Sequence, residues 1–162
     1  MPAPPSTDNY EVGGITAIIG GLDLGNVAGF NMDPSGVTVL QHFTARSGAR
    51  KVDKQVVVQK RFTMRFTLDE HQEDLYRLFF MGGGTTTSVT PLLNPLAETN
   101  IYIVFKNEAG NIWTFSAPRV TVRPASAMDM RDFSDWVPFE LEAEILENTG
   151  TPTAPFGTFT FV

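Results

Sequence analysis

Val56-Val57-Val58-Gln59-Lys60-Arg61-Phe62-Thr63-Met64-Arg65-Phe66-Thr67-Leu68 is the stretch whose alternation decides the fold. Val58, Phe62, Met64, Phe66 and Leu68 define one face, interrupted by Lys60. Gln59, Arg61, Thr63, Arg65 and Thr67 define the other. A period of two over this length predicts a strand with one buried face. Residues 45–55, just upstream, lack apolar periodicity and contain Ser47-Gly48, which predicts an exposed loop. Residues 37–44 predict the partner strand of a hairpin with a long basic tip.

Moving outward, residues 69–81 predict the one helix. Thr67 and Glu70 have capping-box spacing, and Asp69 is an alternative N-cap. Leu75, Leu78 and Phe79 form an apolar stripe, and Gly82-Gly83-Gly84 stops the helix. A Gly/Thr/Pro loop fills 82–99. Residues 101–106 and 112–117 predict strands about an Asn107–Asn111 turn, and 119–123 continue the second past a bulge at Pro118. In the strand predicted over 136–146, Phe139, Leu141, Ala143 and Ile145 face one way and Glu140, Glu142 and Glu144 the other. On the N-terminal side, paired glycines bracket a strand over Ile15–Ile19, an extended piece covers 22–32, and Asp33-Pro34-Ser35-Gly36 signals a turn. The tail from Gly157 to Val162 suits an added edge strand.

This pattern predicts a mainly β protein, a β-sandwich or open barrel with one flanking α-helix and a long hairpin loop over about 44–57. Residues 1–12 read as a flexible arm, 13–146 as one domain and 147–162 as a C-terminal arm. There is no internal repeat. At 162 residues the chain can bury roughly 70% of its unfolded surface.

Charge is distributed unevenly. Seven of the twelve basic residues, Arg46, Arg50, Lys51, Lys54, Lys60, Arg61 and Arg65, lie within 46–65, opposed only by Asp53. The rest of the chain holds five basic and seventeen acidic residues. A basic arm on an acidic body is charged to meet copies of itself. The net charge of −6 argues against general nucleic-acid binding. The chain has no cysteine, which suits a reducing compartment. No run approaches the roughly 18 apolar residues of a membrane span, so no membrane anchor is expected. The N-terminus lacks the pattern of a signal peptide.

No catalytic motif emerges, and no metal or cofactor is expected. Asp129, Asp132 and Asp135 have the wrong spacing for a calcium loop. His42 and His71 have no motif partners. Gly20 to Gly25 lacks the Lys and Ser/Thr of a phosphate loop. Glu140, Glu142 and Glu144 read first as a solvent face, paired across strands with Arg61 and Arg65. Ordering about ten residues of the basic loop costs on the order of 10–20 kcal/mol. Exposed ion pairs return only about 0–1 kcal/mol each. Docking of the loop must therefore also bury apolar surface such as Val52, Val56 and Val57.

In order, several pieces resemble the major tail tube proteins of long-tailed, siphovirus-like bacteriophages. They are Leu24-Gly25-Asn26-Val27, the strand–basic loop–strand unit, Thr67-Leu68-Asp69-Glu70, Phe79-Phe80-Met81-Gly82, Val104 to Asn111, Ala117-Pro118-Arg119-Val120, Asp135-Trp136, and Phe139 to Leu146. The resemblance spans roughly 13–146. It implies a non-enzymatic virion protein, assembled in the host cytoplasm, whose hexameric rings stack into a hollow tube for DNA. The hairpin loop would reach the adjacent ring through Arg46, Arg50, Lys51, Val52, Asp53, Lys54 and Val56. A tape-measure protein and a tail terminator are implied partners. Glu140, Glu142 and Glu144 are candidates for the bore, where an acidic wall would let a polyanion slide. The alternatives are a carbohydrate-binding module, disfavoured because Trp113 and Trp136 fall in predicted strands, a hydrolase using Asp132 or Glu142, and a tail terminator or head-decoration protein.

Overall fold

The computed structural model describes residues 13–44, 48, 51–83, 85, 87–96, 98–107, 110, 112–128, 137–151 and 153–161. Its elements are β1 (Ile15–Ile19), β2 (Leu22–Asp23), β3 (Val27–Thr44), β4 (Lys51–Leu68), α1 (Glu73–Phe79), β5 (Glu98–Lys106), β6 (Ile112–Pro124), β7 (Phe139–Ile145) and β8 (Thr158–Phe161). All strands join one antiparallel sheet in the order β2-β1-β5-β6-β7-β4-β3, with β8 also paired to β6.

The sheet has one apolar face because its strands alternate. In β7, Phe139, Leu141, Ala143 and Ile145 are buried, as their spacing predicts. Met64, Phe66 and Leu68 of β4 lie on the same side, as do Ile101, Ile103 and Phe105 of β5. That face curls onto itself. The ring of Phe30 on β3 packs at a tilt 5.0 Å from Phe66 and 5.6 Å from Phe105, bringing distant strands together. Of the two architectures expected, the open barrel describes this single curled sheet. The helix closes one end by burying Leu75 and Phe79, the latter with its ring 5.4 Å from Phe139. The expected bulge at Pro118 is present: Thr99 pairs with Val120 and Ile101 with Ala117, so Pro118 and Arg119 together oppose the single residue Asn100.

Three local expectations change. The segments 22–32 and 37–44 are not separated by a turn; Val27 to Thr44 is one strand. Asp33 to Gly36 forms a bulge within it, where the Ser35 amide donates to Asp33 Oδ1 at 2.8 Å. A β-carbon on Gly36 would sit 2.5 Å from Arg61 Cβ, so the crossing with β4 requires glycine. The helix is shorter than 69–81, and its N-cap is Gln72, which makes no capping side-chain bond. Thr67 stays in β4, while Asp69 and Glu70 turn to Asn26: the Asn26 side chain donates to Asp69 at 2.7 Å and its amide to Glu70 at 3.1 Å. Finally, pairing resumes at Lys51, so most of the expected loop over 44–57 is ladder. The tail does add a strand, β8, on the edge of β6.

Candidate assembly interface

The distal halves of β3 and β4 form a two-stranded ribbon. Val39 pairs with Val57, Leu40 with Val56, Gln41 with Gln55, His42 with Lys54, Phe43 with Val52 and Thr44 with Lys51. Register shifts after Thr38 and His42 mark bulges that increase its twist. At the second, Asp53 is the extra residue, and its carboxylate meets His42 Nδ1 at 2.6 Å. Arg46 and Arg50 lie outside the described residues.

Strand alternation places Val37, Val39, Val57 and Val52 on one face of the ribbon and Leu40, Val56, His42 and Lys54 on the other. Both faces are open. Val37, Val39, Leu40, Val52, Val56, Val57 and Val58 are each between 41% and 62% exposed. The expected interface residues Val52, Asp53, Lys54 and Val56 therefore sit together with Lys51 on this ribbon. Val37, Val39 and Leu40 belong to it too, although the hairpin reading assigned them to an ordinary strand. Their signal is the lack of polar alternation at Val39-Leu40 and Val56-Val57-Val58, which a strand with one wet face would show.

The second set, Glu140, Glu142 and Glu144, lies on the outer face of β7. Register sets Glu144 opposite Thr63 and Thr121, and Glu142 opposite Arg65 and Arg123. Arg61 donates to both oxygens of Glu144, at 3.0 and 3.2 Å. Arg65 reaches Glu142 at 3.4 Å, and Arg123 donates to the same carboxylate, its Nε at 3.1 Å. The cross-strand pairs with Arg61 and Arg65 are those expected; Arg123 joins from the other side. Hydrogen bonding from Arg123 holds the Glu142 carboxyl below its ordinary pKa, with Arg65 and Arg61 adding to the effect. Bonding to Glu144 raises Arg61 in turn. A carboxylate held ionised by three arginines is a poor general acid, since that role needs a raised pKa.

The remaining candidates are scattered. His71 Nδ1 lies 2.6 Å from the Tyr76 hydroxyl beside α1, far from His42 on the ribbon. Among the described residues no group of three or more His, Asp or Glu side chains is arranged to hold a metal. Asp129, Asp132, Asp135 and Trp136 lie outside the described residues. Trp113 is half-buried in β6, its ring 5.9 Å from Phe161.

No protein-family model matches the sequence, and no curated protein does. Solved structures do resemble the fold. One is the tube-terminating cap of the anti-feeding prophage, with 12% identity and a TM-score of 0.52 over 100% of this chain and 94% of that one. A second is a chain of the PVC sheath–tube complex, an extracellular contractile injection system in its extended state, with 12% identity and a TM-score of 0.53 over 98% and 100%. A third is from the PVC sheath/tube terminator, with 14% identity and a TM-score of 0.50 over 89% and 94%. The chain thus shares its fold, over nearly its whole length, with chains of a prophage tube cap and of an extracellular contractile injection system.

Proposed function

We propose that this chain is the repeating subunit of a phage-tail-like tube: a non-enzymatic structural protein of the particle's tail whose rings, six-membered as the resemblance implies, stack around a channel for DNA. The observation that carries the reading is the ribbon. An isolated two-stranded hairpin is marginal in water. Here valines and Leu40 on both of its faces remain exposed. Single exposed apolar residues are ordinary, but contiguous ones mark an interaction surface. The basic charge of the arm and the acidic charge of the body make another copy the fitting partner. Contacts of that kind between unlike surfaces repeat without closing, which is what a stack of rings needs.

The outer face of β7 is the proposed bore lining. Its Glu142 and Glu144 stand among Arg61, Arg65 and Arg123, so that part of the wall is one of compensated charge rather than bare carboxylates. Such a wall gives DNA few uncompensated cations to grip. A tape-measure protein inside the tube and a terminator at its end are the partners this role requires.

A second reading is a tube terminator or cap, favoured because two of the similar structures are a tube-terminating cap and a sheath/tube terminator. A terminator makes one ring and stops; a tube subunit propagates. Replacing residues 41–55 with Asn-Gly would join Leu40 to Val56, already paired, through a two-residue turn. The variant should keep its circular dichroism spectrum yet sediment as a monomer or a single ring at concentrations where the parent forms long assemblies. Equal assembly by the shortened variant removes the arm from the mechanism. A parent that stops at one ring selects the terminator reading.

A further inference from the structure

We infer that the arm of one copy docks in a groove at the opposite end of the next copy, between the β1–β2 turn, α1 and the loop over 82–96. The inference rests on the ring-stacking reading and names the surface that receives the arm.

Strand direction fixes the two ends. β4 carries the chain from the arm at Lys51 to Leu68, which pairs with Phe139. β1 reaches the same far end at Ile19, beside Ile101. From there the chain makes α1 and the segment that follows it, so the arm and the helix stand at opposite ends of the sheet. Opposite ends are where a head-to-tail repeat must place its two complementary surfaces.

The far end has a groove of about 820 Å3 lined by Leu22, Asp74, Arg77, Leu78, Leu93 and Asn94. Gly20, Gly21, Gly82 and Gly83 leave its walls low. Beside it the loop presents apolar side chains to solvent: Leu92 is 76% exposed, Leu93 61% and Leu96 44%. The loop is held in that posture. Leu92 has φ +56°, a conformation that side-chain-bearing residues seldom adopt. Its amide donates to Phe80 O at 2.8 Å, and Asn94 donates to Met81 O at 3.0 Å and, through its side chain, to Gly82 O at 2.8 Å. Thr90 and Gly83 exchange two further backbone bonds. A strained backbone braced by this many bonds to hold leucines in water is prepared for a contact.

Charge selects the occupant. Asp69, Glu70, Glu73 and Asp74 stand at this end; Asp69 and Glu70 accept hydrogen bonds from Asn26, and Arg77 on the groove wall binds Glu73 at 2.5 Å. Asp23 of the β2 strand adds to them. The arm brings Lys54 and Lys60, together with aliphatic side chains to cover the leucines. Basic and aliphatic surface at one end meets acidic and aliphatic surface at the other.

The chain has no cysteine, so introduced thiols report contacts without background. Val52→Cys and Leu93→Cys, both at exposed positions, are placed in one chain, and assemblies are treated with a short bis-maleimide. The expected result is a ladder of covalent multimers on a denaturing gel, with each single variant stopping at dimers. Val52→Cys with Phe161→Cys, whose second thiol lies at the arm's own end, should give no ladder. Tubes that form but ladder only through position 161, or through neither pair, overturn the docking assignment while leaving the tube intact. Absence of both tubes and ladder removes the stacking reading and the docking with it. As a second measurement, Asp74→Lys should reduce pelletable assemblies, and adding Lys54→Asp should restore them. No restoration, with both single variants folded, counts against the pairing.

Discussion

Glu142 shows how much one residue can carry on an outer face. Its side chain is only 15% exposed, although it lies on the wet side of the sheet, because arginines 61, 65 and 123 close over it. Since its pKa is lowered in the folded state, the stabilisation it provides is present above its unfolded pKa. That stabilisation is lost as pH falls through the folded value. Glu142→Gln should therefore cost about 1–3 kcal/mol near neutral pH. Its stability should also decline less than the parent's on acidification through the carboxylate range, read from denaturant midpoints. Parallel pH profiles for the two proteins would show that the ion cluster does not couple to folding. The glutamate face was legible from period two alone, and so were Arg61 and Arg65, once β4 was read as a neighbour. Arg123 was not, because its phase depends on the one extra residue that the bulge at Pro118 and Arg119 inserts opposite Asn100. A triple change of these glutamates to lysine would set six cations on one face, confounding any effect on a bore with loss of stability.

At the scale of elements, strands that bury one face were plain in the sequence, and those doing something else were not. β4 from Phe62 to Leu68 and β7 from Phe139 to Ile145 alternate because water lies on one side and core on the other. The distal ribbon has water on both sides, so no alternation marks it, and residues 45–55 looked like loop although pairing resumes at Lys51. Asp33-Pro34-Ser35-Gly36 has turn chemistry but serves as a bulge, because β4 continues alongside and captures the chain beyond it. The capping box failed for a tertiary reason: Asp69 and Glu70 serve the Asn26 corner rather than the helix start. β8 fills the edge of β6 that β7 leaves bare, with the ring of Phe159 tilted against that of buried Phe115 at 4.7 Å. Deleting residues 157–162 should lower stability by about 1–3 kcal/mol through lost apolar burial. It should also increase irregular aggregation, because it uncovers an unpaired edge. An unchanged denaturant midpoint would mean that β8 contributes only to contacts between copies.

The whole molecule is polar from end to end. A basic, aliphatic ribbon leaves one end of the barrel, and acidic groups with exposed leucines occupy the other. Sequence alone made the charge imbalance visible, since it needs only counting. It could not show that the two signs lie at opposite ends, because that depends on strand direction and on where α1 caps the barrel. On the proposed reading this arrangement would make head-to-tail addition of copies directional, and the central claim is that such addition builds a hollow stack. The most direct measurement is electron microscopy of the purified chain at high concentration. Stacked rings with a central channel, joined by density at the ribbon, are the predicted result; isolated single copies with the ribbon folded back along their own barrel would contradict the account.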